Sequence, residues 1–166
     1  MRKTLIISLE FPPQIGGIAT YVQDLAKNLD PQNVLVLAPP MKDSKEWDEA
    51  QPYTIIRHDF FYPKFIWPRW LKLLKLVKRI VQSEGIELIM VHHILPVGTV
   101  ALQIFKSLKV PYIVFSHGTD MVMASTHKRK KKLAESIGKN SLQVITNSEN
   151  LKMRLLERFP ALVSKT

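Results

Sequence analysis

The chain has 166 residues, 46% of them hydrophobic and 23% charged, and a formal net charge of +10. This composition is typical of one soluble globular domain, and the excess of cations predicts an anionic partner: nucleic acid, an anionic membrane surface or a phosphorylated substrate. Because the chain has no cysteine, disulfides, thiolate metal sites and cysteine nucleophiles are excluded. The short apolar run at 4–9 does not predict a signal peptide, and we expect a cytoplasmic protein.

Short apolar runs alternate with amphipathic segments along the whole chain. The runs predict strands at 4–9, 33–38, 53–58, 86–91, 111–115 and 142–146. Apolar residues at helical spacing predict helices at 18–29, 71–82, 97–108, 128–138 and 148–159. Because several strands are continuous apolar runs, they are expected to be buried on both faces. The pattern therefore predicts a Rossmann-like three-layer α/β/α domain with a mostly parallel sheet, joined by irregular segments at 39–52 and 59–68.

A glycine turn follows the first predicted strand, in the stretch EFPPQIGGIATYV that begins at Glu10. Two prolines and a Gly-Gly pair predict a tight turn that opens the first helix. Such a turn places backbone amides at a helix N-terminus, where the helix dipole favours an anion. Gly16 and Gly17 lack a Cβ, so a phosphate or a sugar can approach the main chain closely. Glycines that serve only to make the turn are the alternative.

Histidines collect directly after predicted strands, where ligands bind in an open parallel sheet. Four of the five do so: His58, His92, His93 and His117. The segment SHGTD is the most informative, because His117 places an imidazole at the rim and Gly118 leaves room for a ligand beside it. The alternative is that Asp120 caps the next segment and His117 bonds to the backbone. These observations predict a functional cleft at this edge of the sheet.

The neighbouring residues carry weaker signals. His92 and His93 point to opposite sides of a strand end, so at most one is expected to face the cleft and the other to be a core histidine. Ser148 is expected to cap the last helix. A metal site is not expected, because no HxH or HExxH spacing is present, and neither the GxGxxG spacing of nicotinamide-binding domains nor a Walker A sequence occurs.

Aromatic and basic residues follow one another between 59 and 79. The six aromatic residues are Phe60, Phe61, Tyr62, Phe65, Trp67 and Trp70. The expected basic surfaces consist of Lys72, Lys75 and Arg79, and of the run Lys128, Arg129, Lys130, Lys131 and Lys132. This mixture favours an anionic membrane or a phosphorylated or lipid-linked acceptor. Packing of the rings under the following helix is the alternative, and we expect it for Phe65 and Trp70; nucleic acid is not expected, since no binding motif accompanies the patch.

Three elements occur in order after the first, fifth and sixth strands: FPPxxGG, His117-Gly118, and Asn147-Ser148-Glu149. Together they resemble the N-terminal domain of retaining GT-B glycosyltransferases of family 4. The resemblance implies the acceptor-side half of a GT-B fold over residues 1–166, with 160–166 as the start of an inter-domain linker. It implies that the donor-binding second domain of the family is absent from this chain.

The resemblance also implies roles for the residues singled out above. The whole protein would transfer a sugar from a nucleotide-sugar donor to a glycan or lipid-linked acceptor, without a metal or a cofactor. His117 would be the catalytic histidine beside the transferred sugar. The substrate-binding residues would be Gly16, Gly17, His93, Gly118 and Asp120.

We expect this half alone to be inactive, and the whole protein to lie in the cytoplasm, peripherally at the inner face of the membrane. Two other classes stay open: a basic nucleic-acid-binding module and a non-catalytic Rossmann-like interaction domain.

Overall fold

The structure, a computed structural model, describes residues 2–166. Its strands are β1 Thr4–Ser8, β2 Val34–Ala38, β3 Thr54–Arg57, β4 Leu88–His92, β5 Tyr112–Ser116 and β6 Gln143–Thr146. They form one parallel sheet in the order β3-β2-β1-β4-β5-β6. The predicted Rossmann-like α/β fold with a mostly parallel sheet is confirmed.

Helices separate the strands, as the sequence predicts. They are α1 Gly17–Lys27, α2 Lys45–Glu49, α3 Leu71–Glu84, α4 Val97–Leu108, α5 Thr119–Ser125, α6 Lys128–Asn140 and α7 Glu149–Arg158, with 3₁₀ turns at Pro31–Asn33 and Pro160–Lys165. The five long helices begin and end close to their predicted limits. Helices α2 and α5 were not predicted, and α2 lies in the segment 39–52 that was expected to be irregular.

The chain divides into two compact units, and the first is Met1–Ile89. In this unit β1 pairs with β2 from Thr4 opposite Val34 to Ile7 opposite Leu37. Every residue of both strands is buried, which explains why their sequences are continuous apolar runs rather than alternating ones. Helix α3 buries an apolar stripe, formed by Leu73, Val77, Ile80 and Val81, and turns its cations to solvent.

The second unit is Met90–Thr166. Its α4 is buried along most of its length, and a Cβ on Gly98 would lie 3.0 Å from Ile137 of α6. The 3₁₀ turn at Pro160–Lys165 packs on the same helix: Leu162 is buried and occupies the space where a Cβ of Gly138 would lie. These six residues are therefore packed, and their role as the start of a linker stays a prediction.

The segment that leads into α3 differs from expectation at one side chain. Phe65 is 86% exposed and Trp67 is 83% exposed, whereas Phe60 is buried. The expectation that Phe65 packs under the helix is wrong, because the loop that carries it is closed on itself by backbone hydrogen bonds. No helix in residues 2–166 is long and apolar enough to cross a membrane.

Candidate functional site

One carboxylate builds the turn after β5. The Asp120 Oδ1 atom accepts hydrogen bonds from the backbone amides of His117 and Gly118, both at 3.0 Å, and from the Ser116 hydroxyl at 3.1 Å. Gly118 has φ 102, a conformation that a residue with a Cβ rarely adopts. Asp120 is only 4% exposed. Its carboxylate is therefore used to hold the backbone of its own turn, and the predicted contact with substrate stays a prediction.

The same carboxylate reaches the loop after β4. Asp120 Oδ2 accepts a hydrogen bond of 2.9 Å from the backbone amide of Ile94. Hydrogen bonds to an ionised, buried acceptor are among the stronger ones in proteins. Asp120 thus fixes the loop that carries His93 relative to the turn that carries His117, which makes it a positioning residue for both.

Three histidines form a stacked cluster at this point. The rings of His92 and His117 lie 5.4 Å apart and nearly parallel, and His92 also stacks on Phe115 at 4.5 Å. Nδ1 of His92 lies 3.1 Å from Nε2 of His117, a hydrogen bond in which one nitrogen carries the proton and the other accepts it. The ring of His93, tilted against His117 at 5.8 Å, comes from a residue with φ 114.

The protonation of His92 and His117 follows from their burial. Burial lowers the pKa of His92 to about 3, with a smaller effect from the nearby His117 and His93. Burial also lowers the pKa of His117, assisted by His93 and opposed by Asp120. Both rings are therefore neutral at neutral pH. A neutral imidazole donates or accepts a hydrogen bond with a hydroxyl group, so such a ring can bind a ligand rich in hydroxyl groups.

At most one of His92 and His93 was expected to face the cleft, and the other to be a core histidine. His92 is fully buried and is the core histidine of the pair, and His93 is 8% exposed. Both contact the ring of His117, so both shape its surroundings. The fourth histidine of the predicted edge, His58, is in the first unit, exposed, and in contact with the carbonyl of Asp59.

A cavity of about 500 Å³ opens beside His117. Its apolar wall is made by Met121, Val122 and Leu151, and its polar wall by His117, Gly118, Thr119, Arg154, Glu157 and Arg158. Guanidinium and carboxylate groups together suit a ligand rich in hydroxyl groups or phosphate. The three charged residues of α7 (Arg154, Glu157 and Arg158) were not predicted, because the prediction for this helix rested on its apolar face. Their spacing of three and four, away from Leu155, was the available signal.

Helix α7 is fixed at its start by Ser148. The Ser148 hydroxyl accepts a hydrogen bond of 3.2 Å from the amide of Leu151. The predicted N-cap is therefore confirmed. This cap orients the first turn of α7, whose Leu151 lies 3.1 Å from the position of a Cβ on Gly118.

The glycine turn of the first unit is less crowded than the turn at Gly118. Gly16 is the N-cap of α1 with extended φ and ψ, and no side chain caps this helix. A Cβ on Gly17 would meet nothing within 4 Å, and one on Gly16 would meet only the carboxylate of Glu10 at 3.7 Å. Neither crowding nor backbone conformation requires these two glycines, and their predicted role in binding a ligand stays a prediction.

A second cavity, of about 430 Å³, lies in the first unit. Its lining comes from the ends of β1 and β2 and from the aromatic segment: Leu9, Pro39, Pro40, Asp59, Phe60, Phe61 and Arg69. The guanidinium of Arg69 lies 5.7 Å from the centre of the Phe61 ring. Aromatic faces beside charged groups are a common lining of sites for small polar molecules.

The predicted basic residues divide between the two units. Lys75 and Arg79 are exposed on α3, and Lys72 lies 3.5 Å from the carboxylate of Asp59. The run Lys128–Lys132 forms the first turn of α6; four of its side chains are exposed and Lys131 is partly buried. Across residues 2–166, no three or more histidine, aspartate or glutamate side chains are grouped so that they could hold a metal ion.

The family model described as "Glycosyltransferase Family 4" matches residues 15–164. An uncharacterized glycosyltransferase of Methanocaldococcus jannaschii, MJ1178, is 29% identical over 160 residues, which are 96% of this chain and 44% of that protein. A GDP-mannose-dependent monoacylated alpha-(1-6)-phosphatidylinositol monomannoside mannosyltransferase of Corynebacterium glutamicum is 34% identical over 74 residues, or 43% of this chain and 17% of that protein.

Among solved structures, the chain is similar to Anabaena Alr3699/HepE in complex with UDP and glucose. The TM-score is 0.68 at 19% identity, over 95% of this chain and 41% of that one. The chain thus spans less than half the length of the relatives that it matches. At this level of identity the likeness concerns the fold, and it agrees with the α/β sheet described above.

Proposed function

This chain belongs to glycosyltransferase family 4, and from this premise we propose that it is the acceptor-side half of a retaining enzyme that transfers a sugar from a nucleotide-sugar donor. The expected N-terminal domain of a GT-B glycosyltransferase is confirmed at the level of family and fold. The donor type is supported by two relatives. One has been crystallised with UDP and glucose, and another is named for its dependence on GDP-mannose.

The observation that carries the proposal is the neutral, stacked His117 at the wall of the 500 Å³ cavity. His92 holds its ring from behind, and Asp120 holds its backbone. Because the ring is already fixed, little side-chain conformational entropy is lost when it forms a hydrogen bond with a hydroxyl of the transferred sugar. His117 therefore orients the donor sugar at the point where its glycosidic bond to the diphosphate breaks.

The glycine turn has a separate task in the proposed reaction. The diphosphate of the donor carries negative charge, and the uncapped amides at the start of α1 offer hydrogen bonds to an anion. Gly16 and Gly17 leave the main chain accessible from solvent. We assign the remaining contacts of the nucleotide to residues outside these 166, so the chain alone is expected to give no turnover.

The acceptor is proposed to bind on this chain. The cavity lined by Phe60, Phe61 and Arg69 offers aromatic faces to a sugar ring and a cation to a phosphate. A lipid-linked acceptor is supported by the Corynebacterium relative, whose name specifies an acylated phosphatidylinositol mannoside. A glycan without lipid is the other acceptor class that this chemistry fits.

The test uses the full-length protein that contains this chain, incubated with UDP-[14C]glucose or GDP-[14C]mannose and a total lipid extract. We expect transfer of label to an acceptor, and a loss of ~100-fold or more in His117→Ala, in line with the removal of a positioned catalytic group. The matched control is His127→Ala, an exposed histidine of the same unit. Transfer by His117→Ala at the wild-type rate would overturn the role of His117.

Retention is tested on the same product. Proton NMR of the first-formed glycoside gives its anomeric configuration, which should equal that of the donor sugar. An inverted product contradicts the retaining mechanism while leaving the transferase proposal intact.

A further inference from the structure

The loop between β3 and α3 is closed at its base. The backbone amide of Tyr62 donates a hydrogen bond of 3.1 Å to the carbonyl of Arg69, and the Arg69 side chain returns one of 2.8 Å from Nε to the carbonyl of Tyr62. At the tip, the amide of Ile66 bonds to the carbonyl of Pro63 at 3.0 Å. Residues 62–69, here named the aromatic loop, therefore have a defined shape.

This loop presents apolar side chains to water. Phe65 is 86% exposed, Trp67 is 83% exposed and Ile66 is 38% exposed. Single exposed apolar side chains are ordinary, but three in succession at the tip of an ordered loop form a patch that typically marks an interaction site.

Cations surround the base of the loop and continue along α3. Between Asp59 and Ser83 the chain has six lysines and arginines, and Asp59 is the single carboxylate. The Lys75 ammonium lies 6.0 Å from the centre of the Tyr62 ring, which places it beside the loop base. Lys75, Lys78 and Arg79 line an open groove of about 520 Å³ on the exposed face of the helix. The exposed rings thus lie at the tip of the loop, and Lys75 lies beside its base.

We propose that the aromatic loop and the basic face of α3 dock on an anionic lipid bilayer, at the cytoplasmic leaflet. Trp and Phe rings enter the headgroup region, while Lys and Arg side chains bind lipid phosphates. Charge complementarity selects this partner, since the patch is strongly cationic and the cytoplasmic leaflet is anionic. The proposal does not depend on His117 or on the proposed sugar transfer.

Single-stranded nucleic acid is the other anion that rings and cations bind, and the geometry favours it less. Base stacking needs rings that line a groove able to hold successive bases. The rings of Phe65 and Trp67 instead stand almost fully in solvent, and the aliphatic Ile66 lies between them. Such a tip is suited to entering an apolar layer.

The test measures co-sedimentation of the chain with vesicles of phosphatidylcholine alone and of an equal mixture with phosphatidylglycerol. We expect binding to the mixed vesicles, accompanied by a blue shift of tryptophan fluorescence. Phe65→Ser/Trp67→Ser should weaken binding by ~10-fold or more through loss of buried apolar area. Lys75→Glu/Lys78→Glu/Arg79→Glu should weaken it by ~100-fold or more, because each cation near an anionic surface contributes about fivefold.

Two matched controls distinguish the loss of this surface from a change in net charge and from the loss of other exposed apolar side chains. Lys42→Glu/Lys106→Glu/Lys139→Glu changes the net charge by the same amount at exposed lysines outside the expected basic surfaces, and Met153→Ser/Val163→Ser removes two other exposed apolar side chains. Both should bind within about twofold of wild type. Since every substituted side chain is exposed, we expect thermal melts to show that all variants fold.

Three results would overturn the proposal. One is equal binding to neutral and anionic vesicles, or to neither. Another is an equal loss in the Lys42→Glu/Lys106→Glu/Lys139→Glu control, which would mean that net charge alone governs binding. The third is tighter binding to a single-stranded oligonucleotide than to vesicles, lost in Phe65→Ser/Trp67→Ser, which would identify the surface as a nucleic-acid platform. If transfer activity persists without vesicle binding, this inference fails while the proposed function stands.

Discussion

The turns after β1 and β5 both place glycines at the carboxyl end of a buried strand, yet they are held in different ways. After β1, the buried Ser8 hydroxyl donates a hydrogen bond of 2.6 Å to the carbonyl of Glu10 and accepts one from its amide. After β5, the two oxygens of Asp120 accept four hydrogen bonds from two loops. The first turn is therefore held by one hydroxyl within the turn. The second is held by a carboxylate that also binds the loop after β4.

The glycines of the two turns also differ, because the backbone requires glycine in the second turn and not in the first. Gly118 has positive φ, and a Cβ there would lie 3.1 Å from Leu151, so its backbone requires glycine. Gly17 lies in a helix with open space around it. A glycine after a strand can therefore mean either a strained backbone or room for a ligand, and only the surrounding geometry separates the two. Replacing the glycine of the second turn should consequently lower the free energy of unfolding. Replacing the glycine of the first turn should instead lower the proposed sugar transfer.

The largest expected effect is that of Asp120→Ala. It leaves one buried amide, two partly buried amides and the buried Ser116 hydroxyl without their acceptor, and each such loss costs about 1–3 kcal/mol, partly recovered by relaxation. We expect the free energy of unfolding, measured by urea denaturation, to fall by about 3–5 kcal/mol. Ser8→Ala, the matching change in the first turn, should cost only about 1 kcal/mol. Similar losses in the two variants would remove the contrast between the turns.

Gly118→Ala should have the next largest effect. Strain at φ 102 and the contact with Leu151 together predict a loss of about 2–3 kcal/mol in the same denaturation experiment. Gly118→Ala/Leu151→Ala serves as the control that removes the steric contact and leaves the backbone strain. If the double variant is more stable than Gly118→Ala alone, the contact contributes; if Gly118→Ala is as stable as wild type, the backbone argument is wrong.

Acid should destabilise the second turn through its histidines. His92 in the folded protein has a pKa of about 3, whereas in the unfolded chain it titrates near 6.5. The unfolded state therefore binds more protons below pH 6.5, and the free energy of unfolding falls as the pH falls from 6.5 towards 3. Between pH 7 and pH 5 the expected loss is roughly 2 kcal/mol. His117, whose pKa is also lowered, adds to it.

Denaturation at a series of pH values checks this prediction. His92→Gln should flatten the dependence between pH 7 and pH 5, whereas Gly17→Ala, in the first turn, should keep the wild-type dependence. A wild-type stability that does not change over this range would contradict the neutral state assigned to His92 and His117.

The smallest effect on stability is expected for Gly17→Ala. The position is helical and uncrowded, so alanine should leave the free energy of unfolding unchanged or raise it by up to about 1 kcal/mol. Sugar transfer by the full-length protein should nevertheless fall, because the methyl group occupies the space that we assign to the diphosphate. Normal transfer by a stable Gly17→Ala protein would mean that this glycine only makes the turn.

The sequence indicated the strands and long helices because each has a local signal. The runs that became β1 and β2 are apolar at every position, and α3 repeats its apolar residues at helical spacing. The short helices α2 and α5 were missed, since five and seven residues give too little periodicity to recognise.

The sequence could place candidate residues at one edge of the sheet, but it could not give the contacts between them. His117, His93 and Asp120 were identified by their place after a strand. That Asp120 binds the amide of Ile94, 26 residues earlier, depends on which loops the sheet brings together. The stacking of His92 on His117 and the three charged residues of α7 in the cavity depend on the same tertiary arrangement.

The closed base of the aromatic loop has a consequence for the speed and cost of docking. Because hydrogen bonds between Tyr62 and Arg69 already fix the loop, little conformational entropy remains to be lost when its tip meets a surface. Association then needs no folding step, and its rate is set by diffusion and by the attraction of the cations on α3, which added salt weakens. In the proposed docking, the tip would therefore meet the bilayer in the shape that it acquired during folding.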